Sequence, residues 1–311
     1  MLERHTFMSY NNDEVSSVEI RVLQYFLTVA RAKSISKAAL ELHITQPTLS
    51  RQIKELEDEF GKQLIIRGSR HITLTQDGIL FKQYAQEIMT LVEKAQREML
   101  KDEEIISGVI YIGLGECSGM RIIMKIIAKM QTIYPHIQFH LLSGNAQDIS
   151  YQLDSGILDI GIFIDPVDLT KYDYFKLPMN ETWGILMRKD SELAKYDSIT
   201  PQLLKDKAII LPNQDIIKNE IAGWIGGNER KLDVQVTYNL INNIALLVEE
   251  GHYYAFTLEN LFHIDDKSPL CFKQLSPKME ANIYVAWKKY HPFSKQTEKF
   301  LELLKIELEK Y

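Results

Sequence analysis

The feature that most constrains this chain is a pair of short helical patterns between Lys37 and Glu57, separated only by His43-Ile44-Thr45. Two helices joined so closely must cross at a steep angle. The first runs through Lys37-Ala38-Ala39-Leu40-Glu41-Leu42, and its paired alanines let a neighbouring helix approach. Ser34 or Ser36 supplies its N-cap, because a side-chain oxygen there accepts a spare backbone N–H. The second opens Gln46-Pro47-Thr48, with Pro47 in the first turn, where its missing N–H costs nothing. Leu49, Ile53, Leu56 and Phe60 form one apolar stripe along it. The opposite face carries Gln46, Thr48, Ser50, Arg51 and Lys54, side chains suited to base edges and phosphates. Thr45 reads as a cap. Glu55 and Glu57 read as packing or salt-bridge partners, because a carboxylate is repelled by phosphate.

The flanking segments complete the unit. Val22, Leu23, Phe26, Leu27 and Ala30 recur at helical spacing, so a first helix is expected over 18–33. Gly61 ends the second crossing helix. Leu64-Ile65-Ile66-Arg67, Gly68-Ser69 and Arg70-His71-Ile72-Thr73-Leu74 then read as a β-hairpin with a basic tip. Such a hairpin can press Arg67 or Arg70 against a DNA backbone or into the minor groove. The expected architecture of residues 18–78 is a winged helix-turn-helix, whose partner is double-stranded DNA. The DNA-facing candidates are Ser36, Lys37, Gln46, Pro47, Thr48, Ser50, Arg51, Lys54, Arg67 and Arg70. Charge agrees. Val18–Thr75 holds nine basic and six acidic residues, +3, within a chain of net charge −6, which leaves −9 on the rest.

The run Ala38-Ala39-x-x-Leu42-x-x-Thr45-Gln46-Pro47-Thr48-Leu49-Ser50-Arg51-Gln52-Ile53-x-x-Leu56-Glu57 resembles the N-terminal motif of LysR-type transcriptional regulators. Gly61-Lys62-Gln63-Leu64-Ile65-Ile66-Arg67 and Leu74-Thr75-x-x-Gly78 are similar to that family's wing and its exit. Ile65 departs from the pattern, where the family often has Phe, a swap within the core. The resemblance implies DNA contacts from the recognition helix and the wing. It extends over the whole chain.

From Ile79 to Ser107 no Gly or Pro interrupts, and Leu80, Tyr84, Ile88, Leu91, Ala95 and Met99 recur at steps of three and four. Residues 79–106 are therefore expected to form one long amphipathic linker helix. Its stripe is covered either by a second copy of the helix or by the chain's own body. The resemblance implies the former: a dimer, and beyond it a tetramer.

At Gly108 the pattern changes. Strands at 109–115, 137–142 and 158–164 alternate with helices at 120–133 and 148–155, which predicts an α/β parallel sheet. A second series follows: strands at 183–188, 208–211, 234–238 and 254–257, and helices at 216–225 and 242–250. A strand at 281–288 and a helix at 294–310 would return to the first sheet. Residues 107–311 thus read as two lobes, 107–164 with 270–311, and 165–269, crossing near 164–168 and 269–272. Ligands of such folds bind at strand carboxyl ends, held by helix N-termini. The corresponding segments are Gly115-Glu116-Cys117-Ser118-Gly119, Ser143-Gly144-Asn145 and Pro212-Asn213-Gln214. The resemblance implies a periplasmic-binding-protein-like domain with a small-molecule effector in its cleft. Glu116, Cys117, Ser118, Asn145 and Asn213 are the candidate effector contacts. Ser118 is also a candidate simple helix cap. Glu116 would repel an anionic effector or favour a cationic one, unless it points to solvent.

Other functions lack their motifs. Gly113-x-Gly115-x-x-x-Gly119 lacks the GxGxxG spacing, and the second strand ends without an acid for a ribose. No GxSxG, P-loop or HExxH pattern is present. No enzyme and no cofactor is expected. Cys117 and Cys271 make neither a disulfide framework nor a metal cluster. They are either ordinary thiols or a redox pair, for which the helix N-terminus beside Cys117 would lower its pKa. A cytosolic solute-binding protein, with the head as an interaction module, is the remaining alternative. Residues 1–17 read as a disordered extension without the apolar core of a signal peptide. With no membrane-length apolar run, a cytoplasmic protein is expected.

Overall fold

The computed structural model describes residues 18–68, 71–99, 106–227, 232–262 and 264–311. The expected extension 1–17, the hairpin tip Ser69-Arg70 and linker residues 100–105 lie outside them. The chain divides into two compact units, Met1–Met99 and Leu100–Tyr311.

In the first unit, α1 (Ile20–Ala32), α2 (Ile35–Glu41) and α3 (Gln46–Phe60) pack around Phe26, Val29, Ala38, Ala39, Leu49, Ile53 and Leu56. Burying each of the larger apolar side chains contributes about 1.5–3 kcal/mol. Ser34 is the N-cap of α2, its Oγ accepting from Lys37 N at 3.4 Å, so Ser36 is free to face outward. Thr45 caps α3 by accepting from Thr48 N at 3.3 Å, as the sequence suggested. Gly61 closes α3 in the left-handed region, φ 59°, where a Cβ would be strained.

The hairpin forms from β1 (Ile65–Arg67) and β2 (Ile72–Leu74), antiparallel, with Arg67 opposite Ile72. Ile65 is buried in the head core, so its departure from the family pattern is a packing substitution. Helix α4 (Gln76–Met99) leaves the hairpin through Thr75, whose Oγ1 accepts from Gly78 N and donates to Gln63 O. A Cβ on Gly78 would lie 2.0 Å from the Leu64 carbonyl oxygen, so only glycine passes there. Phe81 on α4 packs edge-on against Phe26 at 5.0 Å. The described helix starts three residues before the expected linker.

The second unit is a mixed α/β structure. The first lobe lays β3 (Gly108–Leu114), β4 (Ile137–Ser143) and β5 (Ile160–Ile164) in parallel, with α5 (Met120–Ile133) and α6 (Ala146–Asp154) between them. A single long strand, β6 (Tyr172–Arg188), then runs through both lobes. The second lobe adds β7 (Ser198–Ile199), a 3-10 turn (Pro201–Leu204), β8 (Ala208–Pro212), α7 (Asp215–Trp224), β9 (Asp233–Tyr238), α8 (Asn242–Glu250), β10 (Tyr254–Leu258) and β11 (Leu270–Leu275). The chain returns through β12 (Glu280–Lys288), antiparallel to β5, and ends with α9 (Lys295–Leu308).

Two expectations are corrected. The sheet is mixed rather than parallel, because β6 pairs antiparallel with β12, β10 and β11. The crossings also lie elsewhere. Residues 172–182 pair with β12 in the first lobe, and 183–188 pair with β10 and β11 in the second. The crossings therefore fall near Thr182–Trp183 and between β11 and β12, not near 164–168 and 269–272. Polar residues in Tyr172–Asn180 obscured the strand, whose early half is exposed at alternate positions.

Candidate nucleic-acid interface and effector cleft

The exposed face of α3 carries Gln46, Pro47, Thr48, Arg51 and Lys54, with Ser50 half-buried at its edge. Ser36 and Lys37 are exposed on α2, and Arg67 is exposed on the wing. Arg70 lies outside the described residues. The buried stripe Leu49, Ile53 and Leu56 fixes this polar face outward. Arg51 is held by Glu55, Nε to Oε1 2.8 Å, an exposed pair at i and i+4. Gln52 Nε2 also donates to Glu55, at 2.6 Å. Glu57 has a different role. Its Oε1 accepts from Leu64 N at 2.8 Å and Ile65 N at 3.0 Å, tying the start of the wing to the recognition helix. Ile72 N donates to Lys33 O at 2.9 Å, tying the other strand to the end of α1.

In the second unit a cavity opens between the lobes. Its empty space, the mouth included, is about 600 Å³. The first lobe supplies Gly115, Glu116, Asn145, Ile149 and Ile162–Asp165, and the second supplies Trp183, Gln214, Ile217, Tyr238–Ile241, Thr257 and Leu258. These are mostly strand carboxyl ends and the loops after them, where such folds bind ligands.

The five predicted contacts are not all brought together. Glu116 and Asn145 line the cavity; Cys117, Ser118 and Asn213 do not. Glu116 does not point to solvent. Its carboxylate crosses the cleft and accepts from Ile241 N and Asn242 Nδ2, both at 2.8 Å, at the start of α8. Asn145 is the N-cap of α6 in a capping box with Asp148. Ser118 donates its hydroxyl to Glu181 Oε1 at 2.7 Å, and Gly119 N donates to the same oxygen at 3.1 Å. The start of α5, expected to hold effector, is thus occupied by a buried carboxylate from β6. Asn213 is exposed, and its neighbour Gln214 faces the cavity instead.

Cys117 is 5% exposed in the core, and burial, then the charge of Glu181, pushes its thiol up to about 12. The expected lowering by the helix N-terminus is overturned, because desolvation outweighs the two backbone hydrogen bonds. Burial also raises the Cys271 thiol.

Sequence reasoning missed Asp165, Trp183, Tyr238 and Glu181. Asp165 directly follows β5, and its Oδ2 accepts from Asn282 Nδ2 at 2.6 Å and Tyr284 OH at 3.3 Å. Its place after a predicted strand was a usable signal. Trp183 and Tyr238 carried none. Burial holds the Tyr238 phenol well above its ordinary value, and its hydroxyl donates to Phe256 O at 2.7 Å.

The family model for the bacterial regulatory helix-turn-helix protein, lysR family, matches residues 20–79. That for the LysR substrate binding domain matches residues 104–309. The hydrogen peroxide-inducible genes activator of Pectobacterium carotovorum subsp. carotovorum is 34% identical over 209 residues, 67% of this chain and 68% of that protein. The crystal structure of CbnR, a LysR family transcriptional regulator, is similar over 94% of this chain and 99% of its own, at 16% identity and a TM-score of 0.70. Full-length CbnR complexed with its target DNA is similar over 93% and 99%, at 18% identity and a TM-score of 0.67. At these identities the two structures speak for the fold alone. Among the described residues, no helix is long and apolar enough to cross a membrane.

Proposed function

The chain belongs to the LysR family of DNA-binding transcription regulators, and from that premise we infer that α3 and the wing read duplex DNA while the interlobe cleft takes the regulating effector. The family is not one of enzymes. The single observation that carries the DNA assignment is the outward face of the first turns of α3, where Gln46, Thr48, Arg51 and Lys54 stand exposed, flanked by Arg67 on a wing tied to the same helix. Arg51, Lys54, Arg67 and Arg70 take phosphates and supply most of the affinity. Gln46, Thr48 and Ser50 supply the sequence reading, and Ser36, Lys37 and Pro47 lie at its edge.

The functional form is a dimer through α4, assembled further into a tetramer. Ile79, Leu80, Tyr84 and Ile88 leave 43–61% of their surface exposed on that helix, an apolar stripe suited to a second copy. A two-fold dimer presents two heads to a two-fold DNA site. In the effector domain, Glu116, Asn145 and Gln214 replace the full predicted set as contacts.

The test is binding of the full chain to its own upstream intergenic DNA across a salt series, with unrelated duplex as competitor. Sequence-selective binding that weakens steeply with salt is expected. Equal affinity for both duplexes at every salt concentration would overturn it.

A further inference from the structure

The charges around the cleft restrict what can enter it. Glu116 and Asp165 both line the cavity, and among its described lining residues there is no Lys, Arg or His. The partners of both carboxylates are neutral: a backbone N–H and Asn242 for Glu116, Asn282 and Tyr284 for Asp165. Hydrogen bonds to neutral donors leave two negative charges beside a partly apolar cavity, where Coulomb interactions are stronger than in water.

Two helix starts that would hold an anion are filled, whereas that of α7, whose N-cap Gln214 lines the cavity, has no side-chain cap. The start of α8 is taken by Glu116, and the start of α5 by Glu181. At either filled start an anionic ligand would have to displace one of the chain's own carboxylates and then sit beside it. A separate observation calls for a hydrogen-bond acceptor on the ligand. Trp183 is 3% exposed, lines the same cavity, and its indole Nε1 has no hydrogen-bond partner. A buried donor left unpaired is costly, and an acceptor on a bound molecule would relieve it.

We propose that the cleft takes a small organic cation, an amine with a branched apolar body and a neutral hydrogen-bond acceptor for Trp183, and rejects carboxylates of the same shape. The ammonium sits toward Glu116 and Asp165, and the apolar body lies against Ile149, Ile162 and Leu258. This rests on the assignment of the cleft as the effector site, but not on the DNA assignment.

Three probes of one frame test it on the full chain: leucinol, 4-methylpentane-1,2-diol and 2-hydroxy-4-methylpentanoate. The readout is the Trp183 indole N–H resonance, identified by its loss in Trp183→Phe. Leucinol is expected to shift that resonance with an affinity at least roughly tenfold above that of the hydroxy acid. The diol should fall between them. Asp165→Asn and Glu116→Gln, made separately, should each shrink the preference. Equal or tighter binding of the hydroxy acid would overturn the proposal. So would a preference unchanged by both substitutions, or no shift with leucinol at millimolar concentration. The upstream-DNA titration on the same preparation keeps the two assignments apart, since selective DNA binding with a carboxylate-preferring cleft sinks only this one.

Discussion

Glu116 and Asn242 face each other across the cleft, Oε1 to Nδ2 2.8 Å, and the second carboxylate oxygen takes the Ile241 N–H at the same distance. One residue of the first lobe thereby caps a helix of the second. Glu116→Ala removes both bonds and leaves an open helix end. Charge-assisted hydrogen bonds contribute about 1.5–3 kcal/mol each, less where partly exposed. The amide of Ile241 should exchange roughly tenfold faster in the variant, read by hydrogen exchange. Unchanged protection would mean that the contact holds nothing closed.

The wing is held by Glu57 through two backbone N–H groups. Glu57→Ala strands both donors at the start of β1, a loss of about 2 kcal/mol of local stability. Faster exchange at Leu64 and Ile65, with weaker DNA binding, is the expected pair of results. Exchange that speeds up while DNA affinity stays put would separate wing order from binding.

Arg51 pairs with Glu55 on the exposed face of α3. On the proposed assignment, phosphate competes with that carboxylate. Arg51→Ala should weaken DNA binding by at least about 1 kcal/mol and lower the salt slope by about 1. Glu55→Ala should act in the opposite direction, tightening binding modestly by freeing the guanidinium. If both substitutions weaken binding alike, Glu55 orients Arg51 rather than competing for it.

Cys117 lies beside Glu181 in the core, its thiol pushed up to about 12. At neutral pH its thiolate fraction is roughly a thousandfold below that of a thiol at the ordinary value. Iodoacetamide should leave Cys117 unmodified in the native protein, as read by intact and peptide mass. Cys117→Ser should retain DNA binding before and after peroxide treatment. A peroxide-dependent change lost in Cys117→Ser would restore the redox alternative, despite the burial.

On α9, Glu307 accepts from Lys125 Nζ at 2.7 Å and also pairs with Lys310, which lowers its carboxyl from the ordinary 4.5 to about 2. A carboxyl depressed on folding stabilises the folded state above its unfolded value, and that contribution is lost as pH falls through the folded one. Glu307→Gln should therefore lower the melting temperature by a few degrees at neutral pH. The gap should narrow between pH 4.5 and about 2 and close below it. A gap independent of pH would show that packing, not charge, is lost.

Much of this was legible in the sequence because local patterns and tertiary packing agree. Leu49, Ile53 and Leu56 repeat at helical spacing, and burying them leaves only one face for Gln46, Thr48 and Arg51. The strands at Val109 and Leu158, and the helices that follow, announce themselves by apolar runs and turn residues. The cleft was less legible. Ser118 stands at a helix start, as a ligand contact would, but Glu181, sixty-three residues away, claims its hydroxyl. Nothing near Ser118 carries that information. Trp183 and Tyr238 reach the cavity only through strand register, and β6 was seen only in its apolar second half.

Gly78, Thr75 and Phe81 have a consequence for how a signal can reach DNA. They lock the first turns of α4 to the wing and to α1, so helix and reading surface form one stiff piece. The long helix is then a lever rather than a leash. On the proposed reading, a command carried by that lever moves the head as a whole rather than reshaping its reading surface: it is delivered as torque against the double helix.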